Sequence, residues 1–228
     1  MKEKEQAQVA SLTQTRDRLG TALKNKINNL LSARGIELQK EELSGEKGLT
    51  RVLAMDVEEL TRFELQVLVE QIRSLNHSIA ELEKVIDREG KKLKGHGNLT
   101  SSKGIASLGA SILLSGIGDV RDFPEEGRLA SYFGIVPGIH NSNDTERSGK
   151  ITKRGSKLGR TALVQCALIA KRYSPYLANY YERIRGRRGT GRAIIALARK
   201  LLGIIYHTLK NNWIFQDFPN FVLREAAA

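Results

Sequence analysis

Leu65, Leu68, Ile72, Leu75, Ile79, Leu82 and Ile86 follow one another at alternating spacings of three and four residues. This is the a/d seam of a coiled coil, and the charges between them, such as Glu70, Arg73, Glu81 and Lys84, fall on the other faces. Upstream, Val9, Leu12, Leu19, Leu23, Ile27 and Leu30 repeat the theme, interrupted by Arg16 and Lys26, and predict a helix over residues 4–33 that stops near Gly35. The two helices are expected to form an antiparallel hairpin joined by the polar segment around residues 41–50. That hairpin either closes on itself or pairs with a second copy.

Downstream, GKKLKGHGNLTSSKG at residues 90–104 reads as a linker. Beyond it the pattern predicts a short apolar helix ending at SGIGD (115–119), a helix over 125–133, a polar loop, a long helix over 153–171, a shorter one after Pro175 and a last apolar helix over 193–209. The chain therefore reads as all-α in two parts: coiled-coil, dimerising helices over residues 1–95 and a compact basic helical domain over 96–228. Within the second part, SKGIASLGASILLSGIGD (102–119) resembles a helix-hairpin-helix, whose glycine-rich turn offers backbone N–H groups to phosphate.

Composition supports helices. Of 228 residues, 40% are hydrophobic, enough for a sizeable core, while the 6% aromatic content and four prolines argue against a sandwich of short strands. No apolar run reaches the roughly eighteen residues that a membrane-spanning helix needs. The start, MKEKEQAQVA, lacks the apolar core of a signal peptide, and the single Cys166 forms no internal disulfide, so a cytoplasmic setting is expected.

Charge changes the picture more than composition does. Residues 1–95 carry 17 Lys+Arg against 16 Asp+Glu, whereas residues 96–228 carry 20 against 9, so the second part holds nearly all of the net +12. From Arg147 to Lys210 there are sixteen basic residues and one acidic one, Glu182. Such asymmetry points to a polyanion, nucleic acid before any membrane surface. RIRGRRGTGRA (183–193) adds glycines, which allow close backbone approach, to Arg183, Arg185, Arg187, Arg188 and Arg192, whose forks suit phosphate. It lacks the spacing and the closing Gly-Lys-Ser/Thr of a P-loop. Tyr180 and Tyr181 beside it either stack on bases or pack against neighbouring helices.

The polar stretch HNSNDTERSGK (140–150) holds three hydroxyls, Ser142, Thr145 and Ser148. Taken alone it is either a solvated connection or a phosphate-facing loop. Its flank, GKITKRGSKLGR, supplies Lys150, Lys153, Arg154, Lys157 and Arg160, several of which would share one helical face. A serine there could attack phosphorus if a base or metal removed its proton and cations such as Arg147 steadied the transition state. His140 is as readily a plain loop residue as a base, and no metal-ligand spacing appears.

GDVRDFPEEGRLASYFGIVPGIHNSNDTERSGKITKRGSKLGRTAL (118–163) resembles the C-terminal transposase domain of the Piv-like and bridge-RNA-guided DEDD insertion-sequence recombinases; SYFGIVP, GKITKRG and their separation carry the likeness. LTQTRDRLGTALKNKINNLL (12–31) is more weakly similar to the coiled-coil region of that family. The resemblance implies a DNA transposase or site-specific recombinase subunit, or a truncated transposase, associated with the bacterial nucleoid, in which a loop serine links covalently to DNA, and the register places that serine at Ser142. Gly138, Asn143, Asp144 and the SKGIA turn depart from the family pattern. The family's RuvC-like domain, whose four acidic residues hold Mg²⁺, is not recognised here. The resemblance therefore implies Mg²⁺ only through a RuvC-like partner domain or chain, and as partners DNA, a structured guide RNA, and either a second copy through the coiled coil or that RuvC-like chain. A non-catalytic nucleic-acid-binding and dimerising module derived from such a transposase stays open, as does a scaffold for an acidic protein.

Overall fold

The computed structural model describes residues 9, 11, 21–39, 42–142 and 145–227, with the backbone alone at Thr21, residues 139–142, residues 145–148 and Lys150. The described chain is predominantly helical. It divides into two units, residues 12–85 and residues 86–228 with 1–11.

In the smaller unit, α1 (Thr21–Ser32), α2 (Glu46–Leu53) and the first half of α3 (Glu59–Gly90) enclose one aliphatic cluster. Ile27 and Leu31 meet Leu43, Leu49 and Val52, and Leu65, Leu68, Val69 and Ile72 close it. Each such buried side chain contributes about 1.5–3 kcal/mol of transfer free energy. The segment expected to be a polar connection thus holds the start of a helix and two core residues, Leu43 and Leu49. The reason is periodicity hidden by charge: Leu49 and Val52 are spaced for one face, while Glu46 and Arg51 on the outside pair with Arg73 and Glu42. Along the predicted seam, Leu65, Leu68 and Ile72 are buried, and Leu75, Ile79 and Leu82 are half-buried. Of the upstream helix before residue 21, Arg16 and all but residues 9 and 11 lie outside the described residues.

The larger unit is assembled around α9 (Thr190–Lys210), which packs on α6 (Glu126–Tyr132), α7 (Lys157–Tyr173) and α8 (Pro175–Arg188). Ala193, Leu197, Leu201, Leu202, Ile205 and Tyr206 form its buried stripe. The Tyr206 hydroxyl lies 3.0 and 2.9 Å from the carbonyls of Phe123 and Pro124, which fixes the approach to α6. α5 (Ser107–Ile117) lies against α7, with Gly109 facing the Cys166 thiol.

Three features differ from expectation. Residues 90–104 are part of this unit and contain α4 (His96–Thr100), where His96, Asn98 and Leu99 are buried. Asn98 Nδ2 donates to the Trp213 carbonyl at 2.7 Å, and Ser101 Oγ accepts from the Phe215 amide at 3.0 Å. Of the four glycines that suggested a linker, Gly90, Gly95 and Gly104 serve close packing. α4 and α5 are joined by the turn expected to offer its backbone to phosphate, yet Gly104 in that turn lies against the α7 backbone at Ala170, where an added Cβ would fall 2.5 Å from the amide nitrogen. The unit also contains two antiparallel ribbons: β1 (Pro137–Ser142) with β2 (Thr145–Ile151), and β3 (Trp213–Asp217) with β4 (Val222–Glu225). No helix of the described residues is long and apolar enough to cross a membrane.

Candidate nucleic-acid interface

The predicted polar loop is the β1–β2 ribbon. Its pairs run Ile139 to Ser148, His140 to Arg147, Asn141 to Glu146 and Ser142 to Thr145, so the Ser142 backbone sits at the tip, next to residues 143–144, which lie outside the described residues. The side chains of Ser142, Arg147 and Lys150 also lie outside them.

The stem of the ribbon is held by two glycines. Gly134 has φ +65° and Gly155 has φ +97°, a left-handed backbone that side chains disfavour. A Cβ on Gly134 would lie 1.9 Å from the Arg154 carbonyl oxygen, and one on Gly155 would lie 2.0 Å from that of Tyr132. This close approach lets the Lys153 amide donate to the Gly134 carbonyl and the Thr152 amide to that of Val136, each at 3.0 Å. Both glycines belong to the sequence motifs SYFGIVP and GKITKRG.

The same backbone corrects the expected start of the long helix. Lys153 (φ +54°) and Gly155 interrupt any helix before residue 156, and Ser156 then caps α7, its Oγ accepting from the Gly159 amide at 3.0 Å. Lys150, Lys153 and Arg154 consequently share no helical face with Lys157 and Arg160. Arg160 is half-buried, and its Nη1 donates to the carbonyls of Phe133 (3.2 Å) and Gly155 (3.1 Å), with that of Arg154 at 3.5 Å. This one nitrogen stitches the stem to the end of α6.

Beside the stem lies a groove of about 1780 Å³. Pro137, Gly149, Ile151 and Lys153 bring the ribbon to it, and α8 contributes Tyr180, Arg183, Ile184, Arg187 and Arg188 at helical spacing. α9 contributes a second stripe in which Arg192, Arg199 and Lys200 alternate with Ile195, Ala196, Gly203 and Ile204. Among the described residues, seven Lys or Arg line the groove against one carboxylate, Glu126, whose Oε2 stands 3.4 Å from His207 Nε2. The hydroxyl of Tyr176, hydrogen-bonded to Lys200, holds that ammonium above the usual lysine range. Seven clustered cations make a field that attracts a polyanion.

The structure thus brings Lys153, Arg183, Arg187, Arg188 and Arg192 together. It does not bring Arg154, Lys157, Arg160 or Arg185 to the groove; Arg185 pairs with Glu182 at 2.7 Å. Tyr181 is buried, with Lys171 Nζ 3.6 Å from its ring centre, so of the adjacent tyrosines only Tyr180 lines the groove. Arg199 and Lys200 were missed as groove residues. Their signal was the spacing of seven and eight from Arg192, which repeats on the α9 face away from the core.

Residues 96–182, which include the ribbon, its stem and most of α8, match the family described as "Transposase IS116/IS110/IS902 family". Over 215 residues the chain is 28% identical to the transposase for insertion sequence element IS1111A of Coxiella burnetii, covering 90% of this chain and 59% of that protein. Over 227 residues it is 26% identical to a probable family 20 transposase of Pseudomonas aeruginosa, covering 95% and 67%. Over 191 residues it is 30% identical to the pilin gene-inverting protein of Moraxella bovis, covering 82% and 58%. The chain spans about three fifths to two thirds of the length of these relatives. The similarity to the IS116/IS110/IS902 transposase family thus falls within the larger unit.

Proposed function

We propose that this chain is a subunit of a DNA transposase or site-specific recombinase that holds nucleic acid in the α8–α9 groove and presents Ser142 as the strand-transfer nucleophile. The observation carrying this reading is that the serine ribbon rises from the rim of the basic groove, sharing Lys153 with it. The names of the relatives, a transposase and a gene-inverting protein, fit DNA rearrangement. In the proposed step the Ser142 hydroxyl gives its proton to a base, its oxygen bonds to phosphorus, and the bridging P–O bond breaks, the departing oxygen taking up a proton. The groove cations steady the added negative charge.

Mg²⁺ does not fit the residues at hand. Among the described residues no group of three or more His, Cys, Asp or Glu could hold a metal ion, and the groove has one carboxylate facing seven cations. No step is therefore assigned to a metal here, and the proposal places Mg²⁺ on a RuvC-like partner domain. A structured guide RNA and a second copy of the chain are the further proposed partners.

The test is a trapped covalent protein–DNA adduct, formed with the RuvC-like portion supplied. It is expected to vanish in Ser142→Ala and persist in Ser148→Ala; persistence in Ser142→Ala overturns the assignment. A second reading, a non-catalytic nucleic-acid-binding module, is favoured by one observation: most groove cations stand on α8 and α9 and not on the ribbon. It predicts salt-steep binding with no adduct under any metal condition.

A further inference from the structure

The basic groove has an aromatic and aliphatic wall that phosphate binding leaves unused. Trp213, the one tryptophan of the chain, and Phe221 line it from the β3–β4 ribbon and its turn, and half-buried Ile184, Ile195 and Ile204 add apolar surface. Phe221 has φ +57°, a backbone region bulky residues rarely occupy, and such outliers persist where the surroundings enforce them. Here its ring is fixed by Tyr176, Phe215 and Phe218, with centroids 5.1, 5.7 and 5.6 Å away. Phe221, Ile204 and Lys200 also border a side pocket of about 460 Å³ with Tyr176.

An intact duplex offers phosphates outward and hides its base faces, so it would satisfy the arginines and leave this wall in water. An unpaired strand offers both, and single-strand sites combine a cationic track with aromatic platforms on which bases stack. We propose that the groove takes an unpaired stretch of DNA, with phosphates on Arg183, Arg187, Arg192 and Arg199 and bases against Trp213 and Phe221. This rests on the proposed nucleic-acid role of the groove and adds the state of the strand.

Three oligonucleotides of about twelve nucleotides test it on the full chain at low salt. They are a single strand, the same strand with abasic sites at its centre, and the corresponding duplex, each followed by anisotropy and by Trp213 emission. The expected result is quenching by the intact strand and roughly tenfold weaker binding of the abasic one, since stacking contributes per base. Phe221→Leu is expected to weaken the intact strand and leave the abasic one unchanged. The abasic comparison stands even if that variant folds poorly. Abasic and intact strands binding within about twofold, or a duplex binding more tightly than the strand with unchanged emission, overturns the proposal while leaving the basic groove as a polyanion site. Absence of binding by all three overturns both.

Discussion

Gly155→Ala is the most direct test of how the serine ribbon is held. The new methyl would force a side chain into the left-handed region, costing roughly 1–2 kcal/mol. Its Cβ would also lie 2.0 Å from the Tyr132 carbonyl oxygen. That oxygen is backbone at the end of α6, not the tip of a flexible side chain, so an ordinary van der Waals distance is regained only if the stem moves by about 1 Å or more. Such a move strains the 3.0 Å hydrogen bonds at Gly134 and Val136, each worth about 1 kcal/mol. The total is roughly 2–4 kcal/mol, which in a unit of this size lowers the melting temperature by about 5–15 °C. Gly134→Ala should behave alike, its Cβ lying 1.9 Å from the Arg154 carbonyl oxygen. Gly186 in α8 is the control: an added Cβ meets nothing within 4 Å, so Gly186→Ala should stabilise by about 0.5–1 kcal/mol. Thermal unfolding followed by circular dichroism reads all three. A Gly155→Ala melt within about 1 °C of the parent would refute the clasp. Adduct formation should fall in Gly155→Ala under conditions where it stays folded, while binding through α8 and α9 persists.

Other residues yield narrower tests. Arg160→Lys should destabilise by about 1–2 kcal/mol, because the shorter side chain does not carry a donor to the place of Nη1, yet leave the salt dependence of DNA binding unchanged; a shallower salt slope at unchanged stability would make Arg160 a phosphate ligand instead. Arg187→Gln with Arg192→Gln should lower the salt slope by about 1.4–1.8, or roughly 0.7–0.9 for each phosphate no longer neutralised, measured by titration across sodium chloride concentrations. An unchanged slope would place the DNA elsewhere. Burial pushes the Cys166 thiol up to about 11, so between the unfolded value near 8.5 and that pH the unfolded chain releases a proton that the folded chain retains. Stability should accordingly fall as pH rises through this window, and Cys166→Ala should flatten the fall in denaturant titrations at pH 8 and pH 10.

How much was legible depended on whether a residue's neighbours lay along its own helix. α8 and α9 could be placed within a few residues because the buried stripe of α9, Ala193 to Tyr206, repeats at 3.6 residues. The arginines of the groove were legible as a cluster. The ribbons were not, since the β1–β2 segment carries polar residues on both faces and β3–β4 spans five and four residues, too few for a period of two to stand out from noise. The 90–104 stretch misled because glycine marks linkers and tight packing equally, and only long-range partners such as Trp213 for Asn98 separate the two. Arg160 misled for a related reason: a guanidinium suited to phosphate is equally suited to three carbonyls.

Why this domain should put its serine on a ribbon, and clasp the ribbon with two glycines, follows from leverage. Five residue steps separate Pro137 from Ser142, a reach of roughly 17 Å at strand rise. A 10° change at the stem would therefore carry the tip about 3 Å, whereas a reacting oxygen misplaced by about 1 Å already loses most of its advantage. A long arm is useful only on a stiff joint. Stiffness here comes from backbone laid against backbone at Gly134 and Gly155, where no side chain could come between, and from Arg160 bonding to the carbonyls on both sides of the joint. The two recognisable motifs, SYFGIVP and GKITKRG, flank Ser142, the proposed nucleophile, and build the joint that would aim it. The groove cations of α8 and α9, on separate helices, could then hold the proposed nucleic acid without sharing in that constraint.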